Sequence, residues 1–497
     1  MSEEIISENV RKSYHFCIQC AIMKCKCKKP PVADFVVRVP DGNKMGERSR
    51  RMRRKQMLVI LLAVCMVFSC SGCLFVSSAE ELYALPQGSR EYMDLQKQIN
   101  DILESGAEYS APLSGSNRQA VQLQDLNGDG TDEAVGFFTS SGERSLNIRI
   151  FQVRDGKYDC AAVVEGDGTA IESVNYVDMD DDGVKEMVVG WQMSASVRLL
   201  TIYSVRDFQI SPLLSTNYEK YSLADLNAES GKNVIVYRSA PEEGAPEVEA
   251  YSLMQDGEIT SATARLSEGV TTIVSIKQGK LLGNRQAVFV DSEYADGGLI
   301  TDILVSEKPG ELLNVTLGDD GRRSESTLRA YTSVYSMDIN GDGIVEVPQP
   351  RELPAQSETV YRVIDWRAYR KNGASEKALT TYHNYSDGWF LRLPDAWENN
   401  LTIRREDSVS GERTIIFSKI TGEGETARIE DFLAVYTLTG DNRMERSQTE
   451  GRFVLKNAGT SIYAARILSQ QTDMPVSQEY VTQNFELIGT DWTNGIA

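Results

Sequence analysis

Three copies of one acidic nonapeptide constrain this chain more than any other feature of its sequence. They are Asp125-Leu126-Asn127-Gly128-Asp129-Gly130-Thr131-Asp132-Glu133, Asp178-Met179-Asp180-Asp181-Asp182-Gly183-Val184-Lys185-Glu186 and Asp338-Ile339-Asn340-Gly341-Asp342-Gly343-Ile344-Val345-Glu346. Asp or Asn at positions 1, 3 and 5 turns three oxygen-bearing side chains inward. Glycine at position 6 permits a sharp turn, and an acid at position 9 closes the cage. Several oxygens in a flexible cage suit a hard cation, and calcium accepts such geometry more readily than magnesium. Without a cation the crowded carboxylates would repel one another. A helix-flanked calcium loop also needs an acid at position 12, where this chain has Gly136, Val189 and Gln349. The β-branched and aromatic residues after the first two loops predict strands instead. The competing reading is a set of Asp/Asn/Gly turns that bind no metal.

A weaker copy runs from Asp225 to Asn233, and Gly279–Val290 keeps a glycine and an apolar strand but no acid of the loop. The first two separations are 53 and 47 residues, and the longer gap to Asp338 leaves room for the acid-free copy. Near-regular spacing of this size predicts a repeat architecture. The loops resemble the FG-GAP and VCBS repeats of integrin alpha chains and bacterial surface proteins, over about Ala111 to His383. That resemblance implies a mainly β fold, a β-propeller of five to seven blades, with calcium as a structural clip in the loops. Strand-like segments at Leu146–Val153, Val197–Val205, Val248–Leu253, Leu299–Val305 and Val360–Tyr369 fit such blades. An amphipathic helix is expected over Arg90–Ser105, with Tyr92, Leu95, Ile99 and Leu103 at helical spacing.

Ahead of the repeats, RSRRMRRK at 48–55 is a positive n-region and MLVILLAVCMVF at 57–68 an uninterrupted apolar run. About a dozen apolar residues fall short of the ~20 that span a bilayer, so the run reads as a signal-peptide core. The following Ser71-Gly72-Cys73 resembles the end of a bacterial lipobox, although Cys70 stands where that family has an aliphatic residue. The resemblance implies signal cleavage at 48–73, a lipid on Cys73, and a folded chain on the extracytoplasmic face of the cell membrane. An uncleaved anchor continuing through Leu74-Phe75-Val76 is the alternative. Signals normally open a chain, so residues 1–47 are expected to be an upstream segment from a mis-assigned start, with Met45 or Met52 the true one. Outside the cell, weak calcium sites with dissociation constants of about 0.1–1 mM can fill.

Charge and cysteines agree with export. Residues 1–56 hold 14 Lys+Arg against 6 Asp+Glu, and the remainder 38 against 66. That acidic body excludes nucleic acid as a partner. Seven of eight cysteines lie at or before Cys73, so Cys160 alone stays in the body and stability rests on packing and metal rather than disulfides.

After a linker and helix at 74–110 and the propeller at 111–383, residues 384–497 carry no acidic loop and are expected to form a smaller α+β domain. Its Trp389-Phe390-Leu391-Arg392-Leu393-Pro394-Asp395-Ala396-Trp397 segment is similar to the opening of PsbP-like domains. Trp389, Phe390 and Trp397 are expected in its core. His383 is the single histidine after residue 15 and is expected at the surface or in a turn; histidine-centred catalysis has almost no material. No catalytic residue is assigned. The leading expectation is therefore a non-enzymatic, calcium-stabilised lipoprotein that binds a protein or glycan. Two rivals stand beside it: a polysaccharide-active hydrolase or lyase using a carboxylate pair, and a scaffold presenting the C-terminal domain.

Overall fold

The β-branched and aromatic stretches that follow the acidic loops form the middle strands of antiparallel sheets. The computed structural model describes residues 90–142, 145–166, 168–226, 231–238, 245–330, 334–354, 359–422, 427–449 and 451–489. The expected signal, Cys73, and residues 227–230 of the weaker loop lie outside them. All described residues belong to one compact unit, Gly88–Ala497.

The fold is mainly β, in six antiparallel sheets laid down in chain order. Helix α1 (Arg90–Glu104) precedes sheet I, which comprises β1 (Glu108–Tyr109), β2 (Val121–Gln124), β3 (Glu133–Thr139), β4 (Leu146–Arg154) and β5 (Lys157–Gly166). Sheet II is β6 (Ala170–Val177), β7 (Glu186–Gln192), β8 (Arg198–Ser204) and β9 (Ser211–Asn217). Sheet III is β10 (Lys220–Ala224), β11 (Asn233–Arg238), β12 (Glu247–Leu253) and β13 (Ile259–Arg265). Sheet IV is β14 (Val270–Leu281), β15 (Arg285–Tyr294) and β16 (Gly298–Val305), edged by the short β17 (Leu313–Asn314) and β18 (Arg329–Ala330). Sheet V begins with β19 (Glu346–Glu352), β20 (Arg362–Tyr369), β21 (Ser375–Asn384) and β22 (Trp389–Leu393). Sheet VI holds β23 (Leu401–Glu406), β24 (Glu412–Thr421), β25 (Arg428–Thr439), β26 (Phe453–Ala458) and β27 (Ser461–Ile467), and β28 (Phe485–Leu487) returns to extend sheet V beside β22.

Neighbouring sheets share cores. Val135, Phe137 and Ile148 of sheet I meet Val174, Met187 and Trp191 of sheet II. The opposite face of sheet II, with Val188, Leu200 and Ile202, meets Val234, Val236 and Tyr251 of sheet III. The same relation joins III to IV, IV to V and V to VI. Middle strands are thus covered on both faces, which is why Glu133–Phe138 and Glu186–Trp191 are buried residue after residue instead of alternating. The far face of sheet I is covered by α1, whose Leu95, Ile99 and Ile102 pack on Ala134, Phe138 and Phe151.

The expected boundary at 383/384 falls inside β21, and sheet V draws strands from both sides of it. Trp389, Phe390 and Trp397 are buried, two of them in the core shared by sheets V and VI. His383 corrects an expectation: only 7% exposed, it stacks on Phe390 at 5.2 Å, because β21 is an inner strand of a covered sheet. Burial holds its imidazole neutral, down at about 3. Among the described residues no helix is long and apolar enough to cross a membrane.

Candidate metal loops

Each clear acidic loop connects into the second strand of its sheet or, in sheet V, leads into β19. The position-1 aspartate shapes the turn, since its two oxygens accept backbone N–H groups from across it. Asp125 takes Gly128 at 2.8 Å and Gly130 at 3.0 Å, and Asp338 takes Gly341 at 2.7 Å and Gly343 at 2.8 Å. Asp178 takes Asp182 at 3.2 Å and Gly183 at 2.9 Å. Position 6 is left-handed in all three, with φ of 84°, 89° and 84° at Gly130, Gly183 and Gly343, a conformation that glycine adopts without Cβ strain.

Position 9 is the buried floor. Glu133, Glu186 and Glu346 are at most 2% exposed, and each accepts the N–H of position 2, from Leu126, Met179 and Ile339 at 2.9, 3.1 and 3.2 Å. Desolvation, reinforced by the loop aspartates, raises these carboxyls to about 6, 7 and 7. In the weaker loop Asn233 stands at position 9. Its Oδ1 accepts Leu226 N–H at 3.4 Å, which keeps the structural bond without the charge.

In sheet IV the loop has become a three-residue hairpin, Leu282-Gly283-Asn284, with φ of 92° at Gly283 and 63° at Asn284 and Leu281 paired to Arg285. Gly279, expected in a loop, lies within β14.

The second loop gathers most charge. One carboxylate oxygen from each of Asp178, Asp180 and Asp182 lies within 4.8 Å of the others, a donor set that could hold a metal ion. Asp180 is 5% exposed and its Oδ1 has no hydrogen-bond partner. In the first and third clear loops the position-3 residue is Asn127 or Asn340, whose amide donates to Asp129 at 3.0 Å or Asp342 at 2.9 Å. Oxygen-only donors around an orphaned buried carboxylate fit a hard divalent cation.

The loops also touch their predecessors. Position 8 donates its N–H to the preceding repeat: Lys185 to Leu126 O at 2.8 Å, Lys232 to Asp178 O at 3.2 Å and Val345 to Lys280 O at 3.0 Å. Gly128 lies so close to the next loop that a Cβ there would sit 2.5 Å from Gly183 O.

Two features escaped the sequence reading. A cleft of about 490 Å³ opens between sheets I and II, lined by Trp191, Leu199 and Ile210 with the polar Glu165, Thr201 and Ser215. Gly166 admits the Trp191 ring at its base, since a Cβ on Gly166 would lie 2.6 Å from Cη2. Gly166→Ala is expected to cost about 1–3 kcal/mol in urea unfolding, as overpacking does; an unchanged midpoint would show that the ring can move aside.

Sheet IV holds the other feature, a buried polar network. Asp291 pairs with Arg329 at 2.9 Å, both side chains at most 1% exposed. Asp302, fully buried, accepts Ser267 N–H at 3.0 Å, Ser267 Oγ–H at 2.7 Å and Asn314 Nδ2–H at 2.7 Å. Its burial pushes the carboxyl above the usual carboxylate range.

No protein-family model matches this chain, and no curated protein matches it in sequence. Among solved structures, Sqt1 of Saccharomyces cerevisiae is 9% identical, covering 74% of this chain and 90% of its own, with a TM-score of 0.27. A second, titled "putative exo-beta-1,3-galactanase from Bifidobacterium bifidum s17", is 9% identical and covers 56% of this chain and 93% of its own, with a TM-score of 0.22. At these scores neither likeness carries an argument about this chain.

Proposed function

We propose that this chain is a calcium-stabilised β-propeller, carried on the outer face of a membrane by a lipid on Cys73, that binds a protein or glycan without catalysing a reaction. One observation carries the reading: the same loop recurs in sheets I, II and V, each time folding acidic side chains over a buried position-9 glutamate that a cation would neutralise. Asp125, Asn127, Asp129 and Glu133 would hold one ion, Asp178, Asp180, Asp182 and Glu186 a second, and Asp338, Asn340, Asp342 and Glu346 a third. Sheets I to V, packed face to face in succession, support the lower end of the range of five to seven blades. The ion is a clip: it offsets the repulsion and desolvation of each carboxylate group and fixes the loop against its predecessor.

The cleft between sheets I and II is the place for the ligand. It sets hydroxyl and carboxylate groups beside an apolar wall, which suits a peptide or a sugar.

Calcium at about a hundred times a dissociation constant of ~0.1 mM adds about 2.7 kcal/mol per site. The unfolding midpoint is therefore expected to rise by several degrees between chelator and calcium. A midpoint that does not respond to millimolar calcium would sink the reading.

A further inference from the structure

The second loop differs from the others in who completes its position-5 aspartate. Asp129 has Oδ1 taken by Thr131 N–H at 2.7 Å and Oδ2 by the Asn127 amide. Asp342 is held the same way by Ile344 N–H at 2.8 Å and the Asn340 amide. In the second loop position 3 is Asp180, which has no amide to donate. Val184 N–H still holds Asp182 Oδ1 at 2.8 Å, but the partner of Oδ2 is Arg206, from the connection between β8 and β9. The guanidinium also stands 3.9 Å from Asp180 Oδ2. An arginine thus takes the position that an asparagine amide takes elsewhere, and it brings the positive charge that an extra carboxylate calls for.

The pairing is built to be exchanged. Arg206 is 56% exposed, so its side chain can swing into water. The turn beneath it is fixed: Asp207 and Phe208 are left-handed at φ of 52° and 56°, and Phe208 packs against the core between sheets I and II. Asp182 Oδ1 accepts a backbone N–H and Oδ2 the guanidinium, so a cation that approaches Oδ2 meets a positive charge already in place. The guanidinium costs less to move, since exposed ion pairs contribute only about 0.2–1 kcal/mol. Asp180, buried and with Oδ1 unpartnered, is a carboxylate aimed into the triad that Arg206 alone does not satisfy.

We propose that Arg206 is a displaceable counter-ion of the second loop, competing with a divalent cation for Asp182 and Asp180 and so setting this site's affinity apart from the other two. The inference rests on the calcium reading given above. It makes the second site responsive to the local concentration of calcium, while its aspartates remain partly neutralised when calcium is scarce.

The test is calorimetric titration of the full-length protein with calcium alone, after chelation, beside Arg206→Gln and Arg206→Lys. Arg206→Gln is expected to tighten one binding event by up to about fivefold, the worth of an exposed charged pair, and to leave the others unchanged. Arg206→Lys should keep wild-type affinity within about twofold, because a point charge still competes. Unchanged or weaker binding in Arg206→Gln overturns the counter-ion role and leaves the calcium reading standing. Absence of calcium uptake by wild type and both variants overturns the two together.

Discussion

Replacing Arg329 with Met will cost about 3–5 kcal/mol of unfolding free energy, because removal of one partner leaves a buried carboxylate without its counter-charge. Asp291 receives Arg329, Ser336 N–H at 2.8 Å and the Thr301 hydroxyl at 2.5 Å. The guanidinium in turn donates to Thr301 Oγ1 at 2.8 Å and to Thr327 O at 3.0 Å. The bonds tie β15, β16 and β18 to Thr327 and Ser336 in the neighbouring connections. Sheet IV lacks an acidic loop, and this network does there what the loops do elsewhere: it fastens a connection to the sheet. The double variant Asp291→Leu with Arg329→Met removes both charges and is expected to recover most of the loss. Urea denaturation of the three proteins measures it. A single-variant loss under about 1 kcal/mol would mean that water or the neighbouring hydroxyls replace the guanidinium at little cost.

The second large effect is a pH dependence that calcium inverts. Burial raises the Glu186 carboxyl from its ordinary 4.5 to about 7 in the folded chain. A raised folded value means the folded state holds the proton more tightly, so the contribution is full below pH 4.5 and is lost as pH rises through 7. Across that window the loss is on the order of 3 kcal/mol. In chelator, Glu186→Gln is therefore expected to match wild type below pH 4.5 and to be the more stable protein above pH 7. In calcium the order reverses, because the ionised carboxylate becomes a ligand that the amide replaces poorly. Glu346, also at about 7, follows the same sense, and Glu133, at about 6, follows it more weakly. Parallel stability curves for wild type and Glu186→Gln in chelator would refute the assignment of the shift to Glu186.

Local patterns were legible and long-range ones were not. The loop is a nine-residue device, so its turn, its glycine and its closing acid could be read from spacing alone, whereas the burial of that acid depends on the sheets around it. The strands after it were as plain, since strands covered on both faces are continuously apolar. Leu146–Val153 is expected as a strand and is β4, one residue longer. The buried network of sheet IV joins Ser267, Asp291, Asp302, Asn314 and Arg329, which lie up to 62 positions apart and carry no common motif. His383 was misplaced for the same reason: a polar residue next to a glycine-containing turn reads as exposed until the sheet that covers it is known. Arg206 had one local sign, the aspartate at position 180 where the other loops have asparagine, but its partner lies in a different connection.

The position-8 bond between consecutive loops carries a consequence for how such a chain can change over time. It uses only main-chain atoms, so a repeat can lose every acid and still offer its carbonyl to the next one, as Lys280 does for Val345. Copies are thus free to drift apart in their acidic side chains while the main-chain bond between neighbouring sheets is kept. A new repeat inserted by duplication would arrive already able to grip its neighbour on one side and be gripped on the other.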